Sequence, residues 1–82
     1  EGFGYTVTIL DDVVEAVEEG KNVFAKHVVD AGDAIRPGDE VVVLDSQKEV
    51  IAVGKALLTK REMLGFRTGA AVKVRRGRSR HR

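Results

Sequence analysis

The 82-residue chain has no cysteine, no tryptophan and few aromatic residues of any kind, 5% in total. Without cysteine, no disulfide holds the fold and no thiolate binds a metal or attacks a substrate. No apolar stretch approaches the ~20 residues that a membrane span requires, and the N-terminus lacks a signal-peptide layout. We therefore expect a cytoplasmic protein with no membrane partner, and nothing in the sequence indicates a cofactor.

A catalytic or metal-binding pattern is also missing from the sequence. His27 and His81 are the only histidines, and without cysteine they do not complete a zinc site. Five acids cluster in and just before a predicted helix: Asp11, Asp12, Glu15, Glu18 and Glu19. The first turn and the exposed face of a helix account for such acids without catalysis. We therefore predict a non-catalytic domain that holds no metal.

Positive charge is concentrated at the C-terminal end of the chain. Residues 1–66 hold 7 Lys and Arg against 13 Asp and Glu, whereas residues 67–82 hold 7 Lys and Arg and no acid. The two parts therefore carry net charges of −6 and +7, although the whole chain is nearly neutral at +1. Such asymmetry is typical of a protein that binds a polyanion. The alternative is a solvated basic tail, residues 77–82, that follows a domain of residues 1–76.

Short alternating segments predict the element order β-α-β-β-β-α-β. "YTVTIL" alternates polar and apolar residues as a strand does, and "NVFAKHVV" is predicted as the second strand. Between them, Asp12 and Glu15 have the spacing of a capping box for a short helix that ends at Gly20. "EVVVLD" and "EVIAVGKALL" predict a hairpin, in which Gly54 indicates a bulge or a close backbone approach.

The remaining segments define the predicted fold class. Thr59 and Glu62 form a second capping box, which begins a single helical turn, and "GAAVKV" is the last strand. The connections are too short for the crossovers of a doubly wound parallel sheet. We therefore predict a small α+β, mainly β fold, a mixed-sheet pseudobarrel with two short helices. Phe3, Phe24 and Phe66 are expected in its core.

Three segments, "EEGKNVFAKHVVD", "IRPGDEVVVLD" and "AVGKALLTKREML", resemble the PUA domain, a small pseudobarrel attached to RNA-modifying proteins. The resemblance covers residues 5–76. Within this family, "GKNVFAKHVVD", "REML" and "AVKVR" look most like the C-terminal PUA domain of archaeal tRNA-guanine transglycosylases, which start archaeosine synthesis. The resemblance implies an RNA partner, with tRNA the expected one, and a catalytic domain that is covalently linked or associated. One departure is Ala25-Lys26-His27, where many members have an alanine-proline-glycine run.

The same resemblance implies that RNA lies against the end of the first helix, the second strand and the last strand. Carried onto this chain, it predicts these RNA-binding residues: Gly20, Lys21, Asn22, Lys26, His27, Lys73, Arg75 and Arg76. Alternation along the last strand independently puts Lys73 and Arg75 on one outward face, where an arginine can hold a phosphate with two hydrogen bonds. Gly20 would let RNA approach the backbone closely. The prediction requires the helix end and the last strand to lie together.

Three functions fit the sequence to different degrees. The leading hypothesis is an RNA-binding module that positions structured RNA, because the chain has too few aromatic residues to stack successive bases of a single strand. The alternative is a structural or protein-interaction domain of a larger RNA-modification protein, with a solvated basic tail. A self-contained enzyme is the weakest hypothesis, since no catalytic motif is visible.

Overall fold

The computed structural model describes residues 5–78, and in this part of the chain six strands form one sheet. The strands are β1 (Thr6–Ile9), β2 (Val23–Phe24), β3 (Val28–Ala31), β4 (Glu40–Leu44), β5 (Val50–Ala56) and β6 (Ala70–Gly77). The helices are α1 (Val14–Glu18) and α2 (Lys60–Gly65). Phe3, which was predicted in the core, lies outside the described residues.

The sheet order is β2-β6-β5-β4-β1-β3. β1 pairs with β4 in parallel, and the other four pairings are antiparallel. The sheet is thus mixed and curls into a nearly closed barrel, which confirms the predicted fold class. Within residues 5–78, the two α-helices between the strands are only 5 and 6 residues long. They are too short for the crossovers of a doubly wound parallel sheet, as the sequence analysis predicted.

The segment "NVFAKHVV" is not one strand, as the sequence suggested, but two strands at opposite edges of the sheet. A 3₁₀ turn, Ala25–His27, separates β2 from β3. The N–H of Ala25 donates to the carbonyl of Gly69 at 2.9 Å, while the carbonyl of His27 accepts from Leu10 at 3.0 Å. The turn therefore joins the β6 side of the barrel to the β1 side. An alternating pattern does not show this change of partner, because it is set by the closure of the barrel.

The core is aliphatic and lies inside the barrel, with one residue from each helix closing it. Val7, Ile9, Val43 and similar inward residues of the strands are almost fully buried, and Val17 of α1 and Met63 of α2 pack with them. An isolated helix of one or two turns is not stable in water. Burial of Val17 and Met63 in the core therefore stabilises the two short helices.

One predicted capping box is confirmed and the other is wrong. The N–H of Glu62 donates to Thr59 Oγ1 at 3.2 Å, and the N–H of Thr59 donates to Glu62 Oε1 at 2.9 Å. At α1, by contrast, a 3₁₀ turn of Asp11–Val13 precedes the helix, and Val13 is the residue at the N-cap. Asp12 therefore does not cap α1.

Candidate nucleic-acid interface

The chain leaves α1 through a tight turn, residues 20–22. The N–H of Lys21 donates to the carbonyl of Ala16 at 3.1 Å, and the N–H of Gly20 donates to that of Val17 at 2.9 Å. These two bonds make a Schellman motif, and Gly20 takes its left-handed position with φ of +104°. The N–H of Gly20 is thus already paired. What Gly20 leaves open is space, since no atom lies within 4 Å of the position that a Cβ would take.

A side-chain hydrogen bond joins this turn to β6. The N–H of Val74 donates to Asn22 Oδ1 at 3.0 Å, and Val23 pairs with Val72. The end of the first helix and the last strand therefore lie side by side, as the sequence analysis required. Asn22 contributes to the site by holding Lys21 beside the second half of β6.

The register of β5 and β6 brings two lysines face to face. Lys73 lies directly opposite Lys55, and both side chains are exposed. Glu40, on the other side of Lys55, uses both of its carboxylate oxygens on Arg75. Two like charges directly opposite each other repel, so an anion bound between Lys55 and Lys73 would relieve that repulsion.

A β-bulge places the two arginines of β6 next to each other. Gly54 pairs with Val74, and Val53 pairs with Arg76, so Arg75 is the extra residue on the β6 side. A Cβ at Gly54 would overlap the backbone of Lys73. The sequence-based prediction of a bulge or a close approach at Gly54 is thus confirmed in both forms.

Arg75 and Arg76 differ in what they contact. Arg75 donates from Nη1 and Nη2 to the two oxygens of Glu40, at 2.7 and 2.6 Å. Within residues 5–78, no ion pair holds Arg76, Lys73, Lys55 or Lys21. These four exposed residues, Lys21, Lys55, Lys73 and Arg76, are called the cationic surface below.

Lys26 and His27 lie near the other end of β6. Ala25 is hydrogen-bonded to Gly69, whereas Asn22 is bonded to Val74. Asn22 and Ala25 are three residues apart in sequence, so these two points lie about 10 Å apart along the edge of the sheet. The predicted RNA-binding residues therefore fall into two groups along β6, and Lys26 and His27 are not part of the cationic surface.

Two aromatic residues that were predicted in the core are on the surface instead. Phe24 is 45% exposed and Phe66 is 48% exposed. Phe24 follows the inward-facing Val23 in a two-residue edge strand, so it points away from the core. Its ring lies 6.3 Å from that of His27, with 57° between the ring planes. The first half of β6 therefore has the exposed ring of Phe24 beside it, and the second half has the cationic surface.

The structure adds two residues to the site that the sequence analysis missed. Lys55 belongs to the cationic surface because the β5–β6 register places it opposite Lys73. The bulge shifts that register, so the alternation of residues in the sequence does not predict it. Arg78, counted with the basic tail, donates from Nε to Glu18 Oε2 at 3.1 Å and from Nη1 to Glu49 Oε1 at 3.3 Å. It belongs to the folded domain. The last four residues of the predicted tail, 79–82, lie outside the described residues.

Lys60, on α2, is a cation that acids already hold. A hydrogen bond to Asp33, together with the charges of Asp33 and Asp30, raises the pKa of Lys60, so this lysine stays charged and paired. Across residues 5–78, no group of three His, Cys, Asp or Glu side chains could hold a metal ion. No helix in the same range has the length and apolar character to cross a membrane.

The sequence matches the PUA domain over residues 5–78, and the chain belongs to the PUA domain family. PUA domains are non-catalytic RNA-binding modules. The resemblance that the sequence motifs carried is confirmed.

Similarity to a named protein shows which kind of PUA domain this chain resembles. The chain is 48% identical over 71 residues to the tRNA-guanine(15) transglycosylase of Thermococcus onnurineus. The match covers 87% of this chain and 12% of that protein, so the chain spans about an eighth of the length of the relative. The matching part is the C-terminal PUA domain of that enzyme, as the sequence motifs indicated.

Two solved structures show the same fold. NSun6 from Pyrococcus horikoshii superposes with a TM-score of 0.86 at 29% identity, over 89% of this chain and 19% of that chain. A chain of an H/ACA RNP bound to a substrate RNA superposes with a TM-score of 0.87 at 32% identity, over 92% of this chain and 24% of that chain.

Proposed function

We propose that this domain positions structured RNA, with tRNA as the main partner, for an RNA-modifying enzyme to which it is linked or bound. Membership of the PUA family supports RNA as the ligand. The name of the transglycosylase relative supports tRNA and a catalytic domain on the same polypeptide. The single observation that carries the proposal is the bond from Val74 to Asn22, because it sets Lys21 beside the cations of β6.

The mechanism is electrostatic attachment of the RNA backbone combined with recognition of its shape. Lys21, Lys55, Lys73 and Arg76 contact phosphates, and the open space above Gly20 lets the backbone come close. Arg76 can hold one phosphate through two hydrogen bonds, which the lysines do not. Lys26 and His27 provide a second contact about 10 Å along the edge of the sheet, where His27 reaches a base or the 3′ end.

The test is a titration of a fluorescein-labelled tRNA transcript with the chain at several salt concentrations. Each neutralised phosphate of a duplex contributes about −0.9 to the slope of log K against log salt. With three to four contacts we expect a slope of about −3. A slope near zero would contradict binding through phosphates.

The alternative of a protein-interaction domain is favoured by a second surface of the barrel. A groove of about 670 Å³ lies on the face of β4 and β5 and is lined by apolar residues that include Val42, Leu44, Val50 and Val53. Arg75 lies at its rim, paired with Glu40. Alanine at Lys73, Arg75 and Arg76 together separates the two functions. If tRNA affinity survives this change while association with a protein partner is lost, the protein-interaction function is the correct one.

A further inference from the structure

Glu18 and Arg78 form an ion pair between the last turn of α1 and the end of the described chain. The side chain of Glu18 is only 7% exposed, and that of Arg78 is 33% exposed. Arg78 donates to Glu18 Oε2 from Nε at 3.1 Å and also from Nη2. A carboxylate this buried needs a partner, because burial of an unpaired charge is costly.

The backbone around this pair is equally close-packed. The N–H of Arg78 donates to the carbonyl of Ile51 at 2.7 Å, which extends the β5–β6 ladder past Gly77. A Cβ at Gly77 would overlap the carbonyl oxygens of Val17 and Glu18. The end of β6 and the last turn of α1 are therefore in direct backbone contact, with the ion pair beside them.

The position of this pair connects it to the proposed RNA contact. Glu18 is two residues before Gly20, and the turn that follows carries Lys21 and Asn22. The Asn22 bond to Val74 holds one side of this turn, and the Glu18–Arg78 pair holds the helix from which the turn begins. Movement of the α1 end would displace Lys21 relative to Lys73 and Arg76.

We propose that Arg78 is a positioning residue, which acts on RNA binding through Glu18 and the α1 end, and not a phosphate ligand like its neighbours in the basic segment. This inference rests on the proposed function, because it assumes that RNA lies on the cationic surface. Two arginines near the C-terminus thus have different roles. Arg76 binds RNA, and Arg78 fixes the geometry in which Lys21 and Arg76 act together.

The two roles predict opposite effects of one substitution. If Arg78 bound phosphate, Glu18→Gln would release it from its carboxylate and remove a negative charge near RNA, so affinity would rise. If Arg78 positions α1, Glu18→Gln weakens the pair and affinity falls. Glu19→Gln is the matched control, because Glu19 is exposed, lies next in sequence and has no ion pair in the described part of the chain.

The experiment measures affinity for the labelled tRNA transcript and its salt slope for the wild type, Glu18→Gln, Glu19→Gln, Arg78→Gln and Lys73→Ala. Interactions within one network typically couple to the extent of about a threefold to tenfold change in affinity. We expect such a loss for both Glu18→Gln and Arg78→Gln, with the same salt slope in the two variants, because both act through the position of Lys21. Glu19→Gln should bind as well as the wild type or slightly better. Thermal unfolding shows whether each variant is folded at the assay temperature, and Arg78→Lys, which keeps the charge, provides a milder change.

The outcomes separate this inference from the proposed function. Lys73→Ala should make the salt slope shallower by about 0.9, and if it does not, the cationic surface itself is wrong. If Lys73→Ala behaves as expected but Glu18→Gln binds more tightly, or Arg78→Gln makes the slope shallower by about 0.9 while Glu18→Gln does not, then Arg78 contacts phosphate and the positioning role is wrong.

Discussion

The two halves of β6 are built from the same kind of strand but present different chemistry. Beside the first half, the chain turns at Ala25–His27, and the exposed ring of Phe24 lies near the half-buried ring of His27. Beside the second half, the α1 end packs against the strand, and the exposed side chains are cations. The difference follows from what each half pairs with, since Gly69 meets the turn that closes the barrel and Val74 meets the turn that ends a helix. One strand therefore has an exposed aromatic ring beside one end and the cationic surface beside the other.

Among changes in and beside β6, the largest effect is expected for Gly77→Ala, in the second half of the strand. The added methyl group would overlap the backbone carbonyls of Val17 and Glu18. We therefore expect the free energy of unfolding to fall by about 1–3 kcal/mol. Chemical denaturation measures it. Gly65→Ala is the control, because nothing lies within 4 Å of that position, and it should leave stability unchanged or raise it by up to about 1 kcal/mol. Equal effects of the two changes would show that the contact between β6 and α1 is not close-packed.

A smaller effect distinguishes the two adjacent arginines. Arg76→Gln should weaken tRNA binding and make the salt slope shallower by about 0.9, because one phosphate contact is lost. Arg75→Gln should leave the slope unchanged, since its guanidinium is already held by both oxygens of Glu40. The same titration measures both. If Arg75→Gln changes the slope as much as Arg76→Gln does, the Glu40 pair opens when RNA binds.

The smallest effect is expected at Phe24, beside the first half of β6. Because its ring is nearly half exposed, Phe24→Ala should change the free energy of unfolding by less than about 0.5 kcal/mol, in contrast to about 2–5 kcal/mol for Met63→Ala in the core. Affinity for tRNA should change by less than a factor of about three. A tenfold loss would mean that a base stacks on Phe24, since such stacking contributes about 1–3 kcal/mol.

Local sequence patterns predicted those features of the fold that depend on neighbouring residues. Thr59 and Glu62 cap α2 because a capping box needs only four consecutive residues in the right order. Gly20 ends α1 for the same reason. The same spacing at Asp12 and Glu15 does not form a capping box, because a 3₁₀ turn precedes α1. The neighbouring Asp11 is bonded elsewhere, since it accepts a hydrogen bond from Ser46 Oγ at 2.9 Å.

Features that depend on contacts between distant parts of the chain could not be predicted from local sequence patterns. The break in "NVFAKHVV" is fixed by barrel closure, and the exposure of Phe24 follows from that break. Lys55 faces Lys73 because a bulge sets the register, and Arg78 is neutralised by Glu18, 60 residues away in sequence. The resemblance to the PUA domain correctly implied that the end of α1 lies beside β6, but which cations are paired with acids could be known only from the structure.

The most direct test of the central claim is an NMR chemical-shift map of the isotopically labelled chain as the tRNA transcript is added. We expect the largest shifts at residues 20–22 and at Lys55, Lys73 and Arg76, with smaller shifts at Lys26 and His27. Shifts confined to the groove around Val42 and Val53, with the second half of β6 unaffected, would contradict the account.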